Sequence, residues 1–112
     1  MYEVKGSTLV INSRQVKFDF NIRDTIERFD SIIVLLGIPF TADDINNIYC
    51  LNKNGEVIWQ SENLNALYPE LKNLPYEQMG VKDGVLHASD FYGRSYMIDV
   101  RTGKIIGCKI VK

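Results

Sequence analysis

Along much of this chain apolar and polar residues alternate with a period of two, and glycine-bearing turns interrupt the alternation at short intervals. From Ser95 to Val100, Tyr96, Ile98 and Val100 fall on one side and Ser95, Met97 and Asp99 on the other. Such a segment is a strand with one face on a core and one face toward water or a partner. Val16, Phe18 and Phe20 alternate in the same way with Gln15, Lys17 and Asp19, and Thr8–Ile11 precedes them across Asn12-Ser13, which predicts a hairpin. Asn47-Ile48-Tyr49-Cys50-Leu51 is rich in strand formers, and Val57-Ile58-Trp59 returns after Asn52-Lys53-Asn54-Gly55. Asn-Gly is a strong hairpin signal because both residues tolerate positive φ. Further turns are predicted at Lys82-Asp83-Gly84, at Gly93 and at Gly103, and the nine- and ten-residue spacing of these glycines is that of an antiparallel meander.

Three stretches are less regular. In 22–36, Ile22, Ile26, Phe29 and Ile33 have helical spacing, with Asp24 as an N-cap candidate, whereas Ile32-Ile33-Val34 is β-branched and lies between Asp30-Ser31 and Gly37. The second feature favours two strands joined at Asp30-Ser31. Gly37–Asn46, with Pro39 and the pair Asp43-Asp44, is a connection. So is Ser61–Pro75, where Leu64, Leu67 and Leu71 would point inward from one or two helical turns limited by Pro69. The expected fold is all-β, an antiparallel meander of about 8–11 short strands, either partial-propeller-like or a two-sheet sandwich, with at most one or two short helical turns.

Composition narrows the function classes. With 112 residues, 46% hydrophobic and 24% charged, the chain reads as a single domain over 1–112 with its own core. Its formal net charge of −1 gives no bulk electrostatic footprint for nucleic acid or anionic membrane. No apolar run approaches the roughly 20 residues of a membrane span, and Met1-Tyr2-Glu3-Val4-Lys5 lacks the pattern of a secretory leader, so the expected location is cytoplasmic. Cys50 and Cys108 sit in apolar runs and read as reduced core residues. With His87 the one imidazole, a Cys/His zinc site is poorly supplied, and neither a metal nor a cofactor is expected. Tyr49, Trp59 and Tyr96 alternate with polar neighbours and read as core.

Candidate chemistry is sparse. A nucleophile needs a base and a group to orient that base. His87 shares a face with Val85 and Ser89, and a pairing with Cys50 or Cys108 would need the fold to bring them together. Paired acids could serve a hydrolase or sugar-active enzyme: Asp43 with Asp44, Glu70 with Glu77, or Asp83 with Asp90. Fourteen acids in a chain this short produce such pairs without purpose. Gly103-Lys104-Ile105 lacks the upstream glycine and following helix of a phosphate loop. Phe91-Tyr92-Gly93-Arg94 is different: a turn tip with two aromatics and an arginine, residue types that anchor interfaces, unless Phe91 folds back onto the sheet.

The segments Asn47–Gln60 and Tyr96–Gly107 share one pattern: apolar strand, turn ending in glycine, charged residue, apolar strand. They resemble the blade hairpins of quinoprotein-type and WD-type β-propellers, although the chain is too short to close a propeller alone. The run Asn47–Gln60 together with Asp99–Ile106 also resembles a group of small bacterial proteins that look like immunity proteins of polymorphic or contact-dependent toxin systems. That resemblance implies neutralisation of a cognate toxin protein by direct binding, without catalysis. The contact surface would be a sheet face or the loops Phe40–Asn46 and Ser61–Tyr76, with Asp43, Asp44, Glu62, Glu70, Glu77, Phe91, Tyr92 and Arg94 as candidate contacts; carboxylates would stand where a nuclease expects phosphates. Two other readings remain: the small hydrolase using His87 or paired acids, and a structural module that homodimerises through open strand edges.

Overall fold

A computed structural model describes residues 2–110, and among them the alternation resolves into eleven strands and one helical turn. Strands β1 (Tyr2–Lys5), β2 (Thr8–Ile11) and β3 (Arg14–Lys17) form a first sheet. A second holds β4 (Ile22–Glu27), β5 (Ser31–Leu36), β6 (Ile48–Asn52) and β7 (Val57–Gln60). After the turn α1 (Leu64–Leu67), β8 (Tyr76–Lys82), β9 (Val85–Asp90), β10 (Arg94–Asp99) and β11 (Ile105–Ile110) form a third. Strand order follows chain order in every sheet, and all pairings are antiparallel. The all-β meander expected from the pattern is present, in three sheets rather than the two of a sandwich. β1 precedes the first hairpin legible in the pattern. Residues 22–36 are two strands with Ile26 opposite Ile33, and Phe29, which a helix would have turned inward, lies fully exposed in the turn between them.

The turns use two devices. At Asn12-Ser13 and Asp83-Gly84 both residues have positive φ, as a two-residue type I′ turn requires. At Asn54-Gly55 only Gly55 does, which corrects the expectation for that hairpin. There the Asn52 side-chain oxygen accepts from the backbone N–H of Asn54 and of Glu56, and Gly55 closes a three-residue loop. Asp90 repeats the arrangement toward Tyr92 and Arg94, with Gly93 in the role of Gly55. The short side chain of Asn or Asp mimics a backbone turn, so such residues favour these positions.

The second sheet is packed on both faces. All six residues of β5 are buried. Its neighbours explain this. Tyr49, on the face of Val34, packs against Phe18 from the connection after the first sheet, with ring centroids 5.4 Å apart. On the other face Trp59, in register with Cys50 and Ile33, donates from Nε1 at 2.9 Å to the carbonyl of Val100, in the turn that follows β10. Burying each aliphatic side chain of β5 contributes about 1.5–3 kcal/mol. The outward faces of the flanking sheets are largely polar: Glu3, Lys5, Thr8, Gln15 and Lys17 on the first, and His87, Ser89, Ser95 and Asp99 on the third.

One side chain ties the second sheet to the third. Asn47, 2% exposed, donates from Nδ2 to the carbonyls of Leu36 (2.7 Å) and Tyr76 (2.9 Å) and accepts at Oδ1 from the Tyr76 N–H (2.9 Å). It therefore pairs with both backbone groups of the first residue of β8, as a neighbouring strand would. Arg23 of β4 adds an exposed ion pair to Glu77 of β8 at 2.7 Å. Three apolar expectations are corrected. Leu64 is buried, but Leu67 and Leu71 are exposed, because the helix stops after one turn at Tyr68 and Pro69. Phe20 lies past the end of β3 on the surface. Cys108 is exposed, since β11 is an edge strand that no further strand covers, whereas Cys50 is buried; both are free thiols.

Replacing Asn47 with Ala would leave the Tyr76 N–H and two carbonyls unpaired in the interior, and about 3 kcal/mol of stability should be lost. Urea unfolding should show a lower midpoint with an unchanged slope; a loss below about 1 kcal/mol would refute the role given to Asn47. Gly84 and Gly103 both have φ of +76°, but a Cβ on Gly84 would meet nothing within 4 Å whereas one on Gly103 would lie 2.5 Å from Trp59 Cε3. Gly84→Ala should therefore cost about 1 kcal/mol, the left-handed strain alone, and Gly103→Ala clearly more in the same measurement.

Candidate functional site

The two longest connections, 37–47 and 61–75, leave the same end of the sheets, where the Ser61 N–H donates to the Ile48 carbonyl. Connections 12–13, 28–30, 53–56, 83–84 and 100–104 leave the opposite end, where Asn12 and Arg14 bond to the carbonyls of Lys53 and Asn54. Connections 6–7, 18–21 and 91–93 gather with the two longest, where the Ile22 N–H donates to the Gly6 carbonyl, the Gly37 N–H to the Asn21 carbonyl, and Asn47 meets Tyr76. Loops held on a rigid scaffold are where binding residues concentrate.

At this end Phe40, Phe91 and Tyr92 form an exposed aromatic cluster. Phe40 and Phe91 lie 5.6 Å apart between centroids, and Phe91 and Tyr92 6.1 Å. Phe91 is 66% exposed, so it stands at the tip and does not fold back on the sheet. The turn beneath is fixed. The Asp90 carboxylate, almost fully buried, accepts from the N–H groups of Tyr92 and Arg94 and from Arg94 Nε at 2.9 Å. Arg94 Nη2 also donates to the Lys72 carbonyl at 2.7 Å, and the guanidinium carbon sits 5.5 Å from the centre of the Tyr92 ring. Arg94 is thus a brace under the aromatics rather than a free contact, because a side chain holding three partners has little left to offer a fourth.

The acids divide. Asp43, Asp44 and Glu62 gather with Gln60 and Ser61 around a cleft of about 400 Å³. Asp44 is fixed in place: Oδ1 accepts from the Asn46 backbone and side chain, and Oδ2 from Gln60 at 2.8 Å. Glu62 Oε1 accepts the Ile105 N–H at 2.8 Å. Glu77 is engaged with Arg23, and Glu70 lies exposed in the connection to β8 outside the cleft. A second cleft of about 320 Å³ adjoins the first through Asp44 and Asn46 and is lined by Val16, Phe18, Leu36 and Tyr49 among others. Phe40, Ser61 and this aromatic-walled cleft do not emerge from the sequence pattern one residue at a time. An aromatic after Pro39 in an otherwise polar connection is the signal that Phe40 carries.

The residues considered for chemistry are not assembled. His87 sits on the outward face of the third sheet, across from Gly80 and Met97. Cys50 is in the second sheet, where burial pushes its thiol up despite a hydrogen bond with the Ser31 side chain, and a protonated thiol is a poor nucleophile. Asp83 lies in the turn before β9 and Asp90 at the far end of that strand, neutralised by Arg94; Glu70 is apart from the paired Glu77. Among the described residues no three His, Cys, Asp or Glu side chains converge as a metal site. No helix among the described residues is long and apolar enough to cross a membrane.

Tyr76 and Tyr96 meet edge to face behind the aromatic cluster, and both hydroxyls are buried without a partner among the described residues. Burial pushes both phenols up, Tyr96 to about 12. A raised acid pKa in the folded state means that only the unfolded chain loses its protons near pH 10. Stability from these residues is therefore complete below pH 10 and is lost as pH rises from 10 toward 12. Urea midpoints measured over this range should fall with pH, and Tyr96→Phe should flatten part of the fall while leaving stability at pH 7 unchanged or higher, since the hydroxyl it removes has no partner.

A crystal structure of a computationally designed protein, Ika8, superposes with a TM-score of 0.63 at 6% sequence identity, over 96% of this chain and 35% of that one. The chain spans about a third of that protein's length, and the likeness is one of fold. No curated protein matches the chain. A family model described as a domain of unknown function, DUF7957, matches residues 1–110, and the chain belongs to that family.

Proposed function

We propose that this protein is a non-catalytic binding module whose end bearing the long connections docks on a partner protein, and that the partner is a cognate bacterial toxin which it neutralises as an immunity protein. The observation that carries the binding reading is the aromatic cluster. Phe40, Phe91 and Tyr92 come from two separate connections, stand exposed together, and rest on a buried Asp90–Arg94 brace. Exposed apolar surface that is also held rigid suits an interface, because little side-chain freedom is left to lose on binding. Aromatic anchors in such positions dominate binding energies. The toxin assignment draws on the resemblance of Asn47–Gln60 and Asp99–Ile106 to immunity-like proteins, and the acids Asp43, Asp44 and Glu62, gathered in one cleft formed by the two longest connections, suit an enzyme with a basic substrate site. The homodimer reading has less behind it: the outward faces of the end sheets are largely polar, and the edge strands carry Arg14, Lys17 and Lys109.

The test is direct binding, by calorimetry, to the product of the gene immediately upstream of this one. Wild type should bind at micromolar concentration or tighter, and Phe91→Ser with Tyr92→Ser should weaken it about 30-fold or more without changing the urea midpoint. No complex at micromolar concentration would sink the toxin reading. A complex indifferent to the double variant would move the contact surface elsewhere.

A further inference from the structure

We propose that the two clefts meeting at Asp44 form one groove, and that it takes a single basic side chain of the partner protein, arginine or lysine, together with that residue's apolar neighbour. This rests on the binding reading above and specifies the chemistry of what binds.

Continuity comes first. Asp44 and Asn46 line both clefts, so the acidic part and the aromatic-walled part are joined side by side. Charge comes second. The lining carries Asp19, Asp43, Asp44 and Glu62 against Lys17, four acids to one base, in a chain whose net charge is only −1. Asp43 enters no ion pair among the described residues, and Asp44 is held by Asn46 and Gln60, neither of which neutralises it.

A third observation is independent of the acids. Ser61 lines the acidic cleft and is 4% exposed, yet its Oγ has no hydrogen-bond partner among the described residues. A buried hydroxyl left unpaired costs free energy that a donor arriving in the cleft would recover. The same geometry selects the donor. The carboxylates do not converge on a point as a divalent cation requires, and several of their oxygens already accept N–H groups. A guanidinium distributes five N–H donors over a plane, and an ammonium offers three that rotate, so either suits acceptors that are spread out. The aromatic-walled part then has a role: Phe18 and Tyr49, tilted at 52° to one another, offer apolar surface for the stem of the basic side chain and for the residue beside it. A cleft of about 320 Å³ accommodates one or two side chains, not a folded element.

The test is a titration of the ¹⁵N-labelled full chain with acetyl-Leu-Arg-amide and with the citrulline analogue, which keeps the shape and removes the charge. The arginine peptide should give saturable shifts at Asp43, Asp44, Asn46, Gln60, Ser61 and Tyr49, and citrulline should bind about tenfold more weakly or worse. Asp43→Asn with Glu62→Gln, which leaves Asp44 and Asp19 charged, should narrow this difference to about threefold or less; the amide introduced at position 62 retains an oxygen for the Ile105 N–H, so the fold is preserved. Equal binding of the two peptides, or no shifts at tens of millimolar, overturns the proposal. Calcium shifting the same amides more strongly than the peptide would make the groove a metal site, and spermidine matching the peptide without moving Tyr49 would make it a polyamine site; either result also overturns it. The two proposals fail separately. If toxin binding is unaffected by the same double substitution while peptide binding is absent, the groove proposal falls and the binding module stands. If the peptide binds as expected but the toxin does not, the toxin reading falls and the groove remains.

Discussion

The arrangement of this molecule depends on an amide side chain taking the place of a strand. At Asn47 the chain enters β6 just as β5 has ended at Leu36 and where β8 will begin at Tyr76. No strand of the second sheet pairs with a strand of the third. The Asn47 amide offers one donor group and one acceptor in the geometry of a peptide unit, and satisfies the Leu36 carbonyl and both backbone groups of Tyr76. Directionality matters here as much as energy. Apolar packing between sheets tolerates sliding, whereas three hydrogen bonds in a buried setting fix one position.

Both surface features follow from that position. Tyr76 is in register with Asp90, so fixing Tyr76 places the turn that carries Phe91 and Tyr92. The preceding residue, Asn46, accepts the Leu64 N–H at its side chain, accepts Gln60 at its carbonyl, and donates to Asp44. The dipeptide Asn46-Asn47 thus reaches outward to the acidic cleft with one residue and inward to the next sheet with the other. A pair of buried asparagines at the start of a strand is costly unless every group is used, and here nearly every group is.

The strands were legible because their cause is local. Period-two alternation and glycines at φ-positive turns dictate hairpins without reference to the rest of the chain, and Ile32-Ile33-Val34 decides for a strand where helical spacing competes, because β-branched residues pack better on a pleated surface. What was not legible is set by contacts between distant residues. Alternation says that a strand has two faces but not which sheet covers each, so the double burial of β5 and the exposure of Cys108 on an edge both lay outside it. The Asn54-Gly55 turn departs from the dipeptide's own preference because the Asn52 side chain determines it. Among the acids, Glu77 is claimed by Arg23 and Asp90 by Arg94, while Asp43, Asp44 and Glu62 come together because two connections meet. Composition supplied the candidates, and three-dimensional proximity sorted them.

Placing the two longest connections at one end of the sheets has a consequence for how such a chain can change over time. Tight turns with positive φ at both positions admit few sequences and no change in length without shifting strand register. Loop-closure entropy, by contrast, grows only logarithmically, and doubling a connection costs about 0.6 kcal/mol. Insertions and substitutions can accumulate between Gly37 and Asn46 or between Ser61 and Pro75 while the ladder and the Asn47 clip are left alone. Relatives built this way would share a frame and differ in what they meet at one end of it, diverging in specificity far faster than in fold.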